Sequence, residues 1–198
     1  MLILPETVLI EDRRAGQGCE AEIVRLTKEL AKQIDSQWWQ IGGSKSKRQQ
    51  EGDHGWSWAD ICGSCRQDKW CECLGLVTAD GIVQGAINYH LDGHSLLIPD
   101  DGAVFVHHIA TAPRNRPWLV DEPQYKGVGS ALLATAVRHS YLLALGGRVV
   151  IPSLPTEQTQ QYYENRGFQQ VDTDEDGIID YELTPEAAQR WLREEGYL

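Results

Sequence analysis

The sequence predicts a mixed α+β fold, a mostly antiparallel sheet covered by helices. Three observations predict it. Short β-rich segments joined by turn residues fill the middle of the chain, from about residue 70 to 111. Two helical periodicities follow, separated by one short strand. A last pair of strands and a terminal helix close the chain, giving the order β, α, β, β, β, α, β, α, β, β, α.

Taken in order, residues 1–11 are apolar enough for a first strand. Within 20–39 the apolar residues Ile23, Leu26, Leu30 and Ile34 recur at helical spacing. Residues 42–52 contain no apolar side chain and have glycine at both ends, which predicts a mobile surface loop. Residues 70–77 read as a strand, Ala79-Asp80-Gly81 as a turn, and 82–90 as the second arm of a hairpin. Leu91-Asp92-Gly93-His94 reads as another turn and 103–111 as a buried strand. Three prolines within 113–123 exclude regular structure there. Residues 130–145 form a helix with Leu132, Leu133, Ala136, Val137 and Leu143 inward, ended by Gly146-Gly147. Residues 148–152 are a short strand, and 156–165 a helix stopped by Gly167. Residues 168–171 and 178–183 pair around an acidic turn; 185–195 is a helix with Thr184 as N-cap and Pro185 in its first turn.

The length of 198 residues fits a single domain. It is organised as an N-terminal region 1–69, a core 70–184 and a C-terminal helix 185–198. Eighteen basic against 29 acidic residues give a net charge of −11, with 41% hydrophobic residues. That balance argues against disorder and against a nucleic-acid coat, which needs a basic footprint. No apolar run is long enough to span a membrane, and the start lacks a basic, cleavable leader, so a cytoplasmic protein is expected. The sequence leaves a homo-oligomer open.

Without an export signal, the five cysteines are not expected to form disulfides. Cys62, Cys65, Cys71 and Cys73 have a spacing that structural zinc can use, since Cys71 and Cys73 face one side of a strand. A Cys-x-Cys second pair is unusual for zinc, however, and reduced cysteine is a common core residue, so no metal is expected. Asp172-x-Asp174-x-Asp176-Gly177 resembles a calcium loop, but Leu183 stands where a bidentate carboxylate is required. A hairpin turn is expected there.

The most informative segment is Gln124-Tyr125-Lys126-Gly127-Val128-Gly129-Ser130, which opens a helix. Glycines let the backbone approach a ligand, and the first helical turn presents amides and the positive end of the dipole. Such a turn holds a phosphate or pyrophosphate, with Lys126 adding charge at the rim. It is neither a Rossmann fingerprint nor a P-loop. About 30 residues later comes Tyr162-Tyr163-Glu164-Asn165-Arg166-Gly167-Phe168. Together, in this order and on these elements, the two motifs resemble those of the GCN5-related N-acetyltransferase (GNAT) superfamily. Gln124, Gly127 and Gly129 fill its Arg/Gln-x-x-Gly-x-Gly/Ala pattern, and Tyr163, Gly167 and Phe168 its Tyr-x-x-x-Gly-Phe pattern. The resemblance covers roughly 70–184. The extended loop 114–123 before the glycine turn, with His54-x-Trp56-x-Trp58 upstream, is similar to a poorly characterised GNAT subset.

The resemblance implies a sheet splayed in the middle and acetyl-CoA as co-substrate. It implies that Ile109, Ala110 and Thr111 pair through their backbone with the pantetheine arm. The amides of Lys126, Gly127, Val128, Gly129 and Ser130 would hold the pyrophosphate, and Thr156 stands where the family often has a cofactor-binding asparagine. An amine, on a small molecule or a protein, attacks the thioester directly. Tyr163 matches the family's general acid, and His107 falls where related sequences place the base, with Glu122 in reserve. A Tyr packed inward and a histidine at the sheet rim are the structural alternatives. His54, Trp56 and Trp58 would help to wall the acceptor pocket, while Trp38-Trp39 reads as packing. The reading is therefore an N-acetyltransferase of unidentified acceptor; the alternative is a non-catalytic acyl-CoA-binding or regulatory module.

Overall fold

A computed structural model describes residues 3–40, 45–154 and 156–197. The chain divides into two compact units, 3–88 with 108–133 and 89–107 with 134–197.

The first unit opens with an antiparallel hairpin of β1 (Glu6–Asp12) and β2 (Gln17–Arg25). Asp12 makes the turn by accepting the amides of Arg14 and Ala15 at 2.9 and 3.1 Å. The helix expected from residue 20 therefore starts later. Ala21 and Ile23 are buried between more exposed neighbours, the two-residue period of a strand. Helix α1 (Lys28–Gln37) begins only after Thr27, whose side chain accepts the Leu30 amide at 3.2 Å. The first strand likewise starts at Glu6 rather than at the N-terminus. Helix α2 (Lys45–Gln49) replaces part of the loop expected over 42–52; positions 42–44 lie outside the described residues. Helix α3 (Trp58–Cys65) is capped twice, by its own Ser57 and by Asp35 of α1, which accepts the amides of Trp58 and Ala59 at 2.7 and 3.0 Å. Strand β3 (Cys71–Thr78) pairs antiparallel with β2. Strands β4 (Val83–His94) and β5 (Gly102–Thr111) follow. Strand β6 (Tyr125–Lys126) pairs with β1 and leads into α4 (Val128–Leu142).

The cysteine expectation is overturned. Cys62 bonds Cys73 and Cys65 bonds Cys71, with Cα separations of 5.7 and 5.2 Å. Cys62 and Cys65 share one face of α3, and Cys71 and Cys73 share one face of β3, so each bond joins helix to strand. Cys19 is the cysteine left outside a disulfide. Among the described residues no group of three or more His, Cys, Asp or Glu side chains is placed to hold a metal ion.

The second unit contains the far half of β4, the near half of β5 and the C-terminal part of α4. To these it adds β7 (Val149–Ser153), α5 (Glu157–Glu164), β8 (Phe168–Thr173), β9 (Ile179–Leu183) and α6 (Pro185–Glu194). The turn expected at 91–94 is strand. A Cβ on Gly93 would lie 2.8 Å from Phe105 Cβ and 2.9 Å from the Ala103 carbonyl oxygen, so this glycine serves close approach. The chain reverses at 95–101 instead. Glu182 fastens that loop, accepting Ser95 Oγ at 2.6 Å and the amides of Leu96 and Leu97 at 2.6 and 2.9 Å. Arg148 neutralises it at 2.8 Å. Helix α4 stops at Leu142, three residues early, as Ala144, Gly146 and Gly147 take φ of 60°, 68° and 84°. Thr184 caps α6 as expected. Asp174 accepts the amides of Asp176 and Ile178 at 3.0 and 2.8 Å, making the predicted hairpin turn between β8 and β9.

Among the described residues, strands β1 to β9 form one sheet in the order β6-β1-β2-β3-β4-β5-β7-β9-β8, mostly antiparallel and flanked by helices. The parallel ladder of β5 with β7 consists, among the described residues, of Val104–Val149 and Phe105–Val150, although β5 continues to Thr111 and β7 to Ser153. No helix among the described residues is long and apolar enough to cross a membrane.

Candidate functional site

In the first unit Gly127 makes the turn that opens the helix, which begins at Val128, two residues before the expected start, and takes in Gly129. Gly127 takes φ +90°, and a Cβ built there would meet nothing within 4 Å. The helix starts at the next residue and carries no acidic side chain in its first turn. The Ala131 amide bonds the Gly127 carbonyl at 2.9 Å, so the amides before it sit at the open end of the helix. Val128 and Ser130 are buried at this turn, and Gly129 is half-buried. Lys126 is exposed, 3.5 Å from Glu11 across the β1–β6 pair.

Several residues hold this turn in place that the sequence did not flag. Gly85 on β4 is one. A side chain there would strike Val128 Cγ1 at 2.5 Å, Leu132 Cδ1 at 2.8 Å and the Ala110 carbonyl at 3.2 Å. Its absence lets the first turns of α4 settle on β4 and β5. The loop 112–123 is anchored through the buried Gln84. The Ala112 amide bonds the Gln84 carbonyl at 2.8 Å, Arg114 Nε bonds its side-chain oxygen at 3.1 Å, and Asn115 Nδ2 reaches both oxygens at 3.2 Å. Asn115 in turn accepts the Tyr125 amide at 3.1 Å, and Gln124 bonds backbone groups of Arg114 and Arg13. The inserted loop thus positions the residues that lead into the glycine turn.

The end of β5 carries Ile109 and Thr111, half-buried, around the buried Ala110. The Thr111 carbonyl accepts Arg116 Nε at 2.9 Å and Nη2 at 2.7 Å. Arg116 is itself buried and bonds Glu51 at 2.6 Å and both oxygens of Asp53, in a bidentate pair.

The two histidines of β5 face opposite ways, as neighbours on a strand must. His107 is exposed, its ring 4.9 Å from His90 and 4.7 Å from Phe105 in the second unit. His108 is half-buried in the first unit, its ring 4.7 Å from Trp56 and 6.5 Å from Trp58. Asn88 gives its amide hydrogens to the Glu72 carbonyl (3.2 Å) and Cys71 Sγ (3.0 Å), which leaves its oxygen facing His108 Nδ1 at 3.3 Å. That assigns the proton to Nδ1 and the lone pair to Nε2. Burial pushes the His108 imidazole below its ordinary pKa of 6.5, so the ring is neutral at neutral pH.

Beside His108 is a cavity of about 130 Å³ lined by Trp38, Trp39, Trp56 and Trp58 together with Asp35, Asp53 and Arg48. Trp56 and Trp58 line this cavity, and the Trp38-Trp39 pair, read from the sequence as packing, lines it too. Trp38 is 2% exposed and donates to the Val83 carbonyl at 3.2 Å. His54 does not line the cavity; its Nδ1 lies 2.7 Å from the Glu51 carbonyl.

In the second unit, Tyr163 is buried on α5 among Tyr162, Phe168 and Tyr181, with ring centroids 5.3 to 5.8 Å apart. Burial pushes its phenol well above the ordinary value of 10, Tyr162 adds to the shift, and the hydroxyl keeps its proton. Thr156 caps α5, accepting the Thr159 amide at 3.3 Å. Glu122 is exposed on the loop.

The sequence matches no family model, and no curated protein is significantly similar to it. Solved structures are similar. The GNAT domain of S. lividans PAT superposes over 90% of this chain and 96% of its own, with TM-score 0.58 and 17% identity. A GNAT-family acetyltransferase from Listeria monocytogenes covers 90% and 99%, with TM-score 0.59 and 14% identity. The PaiA N-acetyltransferase of Thermoplasma acidophilum, solved in complex with coenzyme A, covers 82% and 97%, with TM-score 0.52 and 15% identity. The chain has the GNAT fold. The fold expected from the two motifs is the fold observed; at such identities the likeness is one of fold, and activity must be argued from the site.

Proposed function

We propose that the protein is an acetyl-CoA-dependent N-acetyltransferase. The observation that carries this reading is the turn at Gly127. A left-handed glycine with open space above it leads directly into a helix whose first turn bears no carboxylate and packs over Gly85 beside Ala110, near the end of β5. A diphosphate is the group such amides suit. Bound there, coenzyme A supplies the activated acetyl group. The amides from Lys126 to Ser130 hold its diphosphate, and the backbone of Ile109–Thr111 aligns its pantetheine arm.

In the transfer, the lone pair of a neutral amine attacks the thioester carbonyl carbon. The C–S bond breaks and its electron pair leaves on sulfur. The family resemblance assigns to Tyr163, whose buried phenol stays protonated, the hydrogen bond or proton that this sulfur takes. The nitrogen gives up its proton to a base, a step that the family resemblance assigns to His107 and that the neutral His108, on the strand face against which Trp56 packs, can take. Amide and free thiol are the products.

A thiol-release assay with acetyl-CoA and a panel of amines tests the reading. At least one amine should give turnover, and Tyr163→Phe should lower kcat by about 100-fold or more with coenzyme A affinity retained. Coenzyme A binding with no amine turned over would favour the non-catalytic acyl-CoA-binding module.

A further inference from the structure

We propose that the tryptophan-lined cavity of the first unit is the acceptor site, and that it takes a compact monoamine with a flat, apolar body, an arylalkylamine in chemical class. This rests on the acetyltransferase reading and goes beyond it by naming the acceptor. Two links tie the cavity to the strand that aligns the pantetheine arm. Trp56, on its wall, packs edge-on against His108, the residue before Ile109. Asp53, also on its wall, is joined through Arg116 to the Thr111 carbonyl.

The lining then selects the acceptor. Its volume of about 130 Å³ is close to the roughly 150 Å³ of an engineered cavity that accepts benzene, so one ring fills it. Of the four indoles, Trp39 and Trp56 are half-buried and offer their rings to a flat, singly charged ligand, while Trp38 and Trp58 back them from the core. A polycation would need carboxylates to spare, and both on the wall are committed. Asp35 accepts the amides of Trp58 and Ala59 and the Ser57 hydroxyl at 3.3 Å. Asp53 is held bidentately by Arg116. Arg48 and Arg116 lie 5.2 and 5.4 Å from the Trp39 ring centroid and already hold the cation positions of that indole, which leaves Trp56 for a single ammonium.

The test uses the intact protein with acetyl-CoA and three probe acceptors: 2-phenylethylamine, spermidine and a lysine-containing peptide. Calorimetry with coenzyme A is run alongside. 2-Phenylethylamine should quench tryptophan fluorescence saturably, and its kcat/KM should exceed that of either other probe by at least about tenfold. Trp56→Ala should raise its KM by about tenfold or more with kcat within about threefold, and Trp56→Phe should restore most of the loss. The quenching on the unaltered protein serves as readout if Trp56→Ala misfolds. Equal or better use of spermidine or the peptide, or no saturable quenching, overturns the acceptor assignment while coenzyme A binding and turnover leave the transferase standing. Absence of coenzyme A binding and of turnover removes the transferase reading, and this inference with it.

Discussion

Replacing Arg116 by alanine would strand the buried carboxylate of Asp53, leave the Thr111 carbonyl without this donor and leave Glu51 with the Trp118 indole N–H. Breaking a buried ion pair from one side costs about 3–5 kcal/mol, so the urea midpoint should fall by that equivalent, whereas Asp53→Asn should cost less. His108 gives a pH signature. Its imidazole titrates below 6.5 when folded because burial disfavours the charged ring, so the unfolded chain binds the proton first. Its contribution is therefore complete above pH 6.5 and is lost as pH falls towards the folded value. The urea midpoint should decline on that side, and His108→Gln should flatten the slope. Arg116 and His108 are visible in the sequence, but their roles are not. Asp53 and Glu51 stand 63 and 65 residues from Arg116, and Asn88 stands 20 from His108, so only folding brings them together.

At the scale of elements, local chemistry decided what could be read. The terminal helix was legible because Thr184 and Pro185 mark its start, and the second glycine-stopped helix because Gly167 takes φ +85°. The first helix was misplaced because Ile23 and Leu26 extend a helical spacing backwards into a strand; the discriminating mark was Thr27, an N-cap followed by Glu29. Gly93 looked like a turn residue and is a packing residue, a distinction that depends on Phe105 and Ala103 across the ladder. Gly85 carries the same lesson into the site. Gly85→Val should push the first turns of α4 off the sheet, destabilising the fold by about 1–3 kcal/mol and weakening coenzyme A by at least about tenfold in calorimetry. A conformational preference at position 85 alone would change stability and spare affinity.

For the whole molecule, two motifs about 30 residues apart pointed to a fold that no family model reports, because backbone-amide recognition asks little of the side chains around it. The disulfides were not legible, since cysteine spacing fits a zinc site and a pair of bonds equally until helix and strand faces are in place. The central claim is that the amides from Lys126 to Ser130 grip a diphosphate. Calorimetry of coenzyme A against pantetheine, which lacks that group and the adenosine 3′-phosphate beyond it, run on the natural chain and on Gly127→Val to isolate the turn, tests it most directly. Two charge-assisted hydrogen bonds of about 1.5 kcal/mol each amount to about 100-fold, so coenzyme A should bind at least that much more tightly, and Gly127→Val should abolish the difference. Equal affinity for the two ligands, or no binding of coenzyme A, would contradict the account.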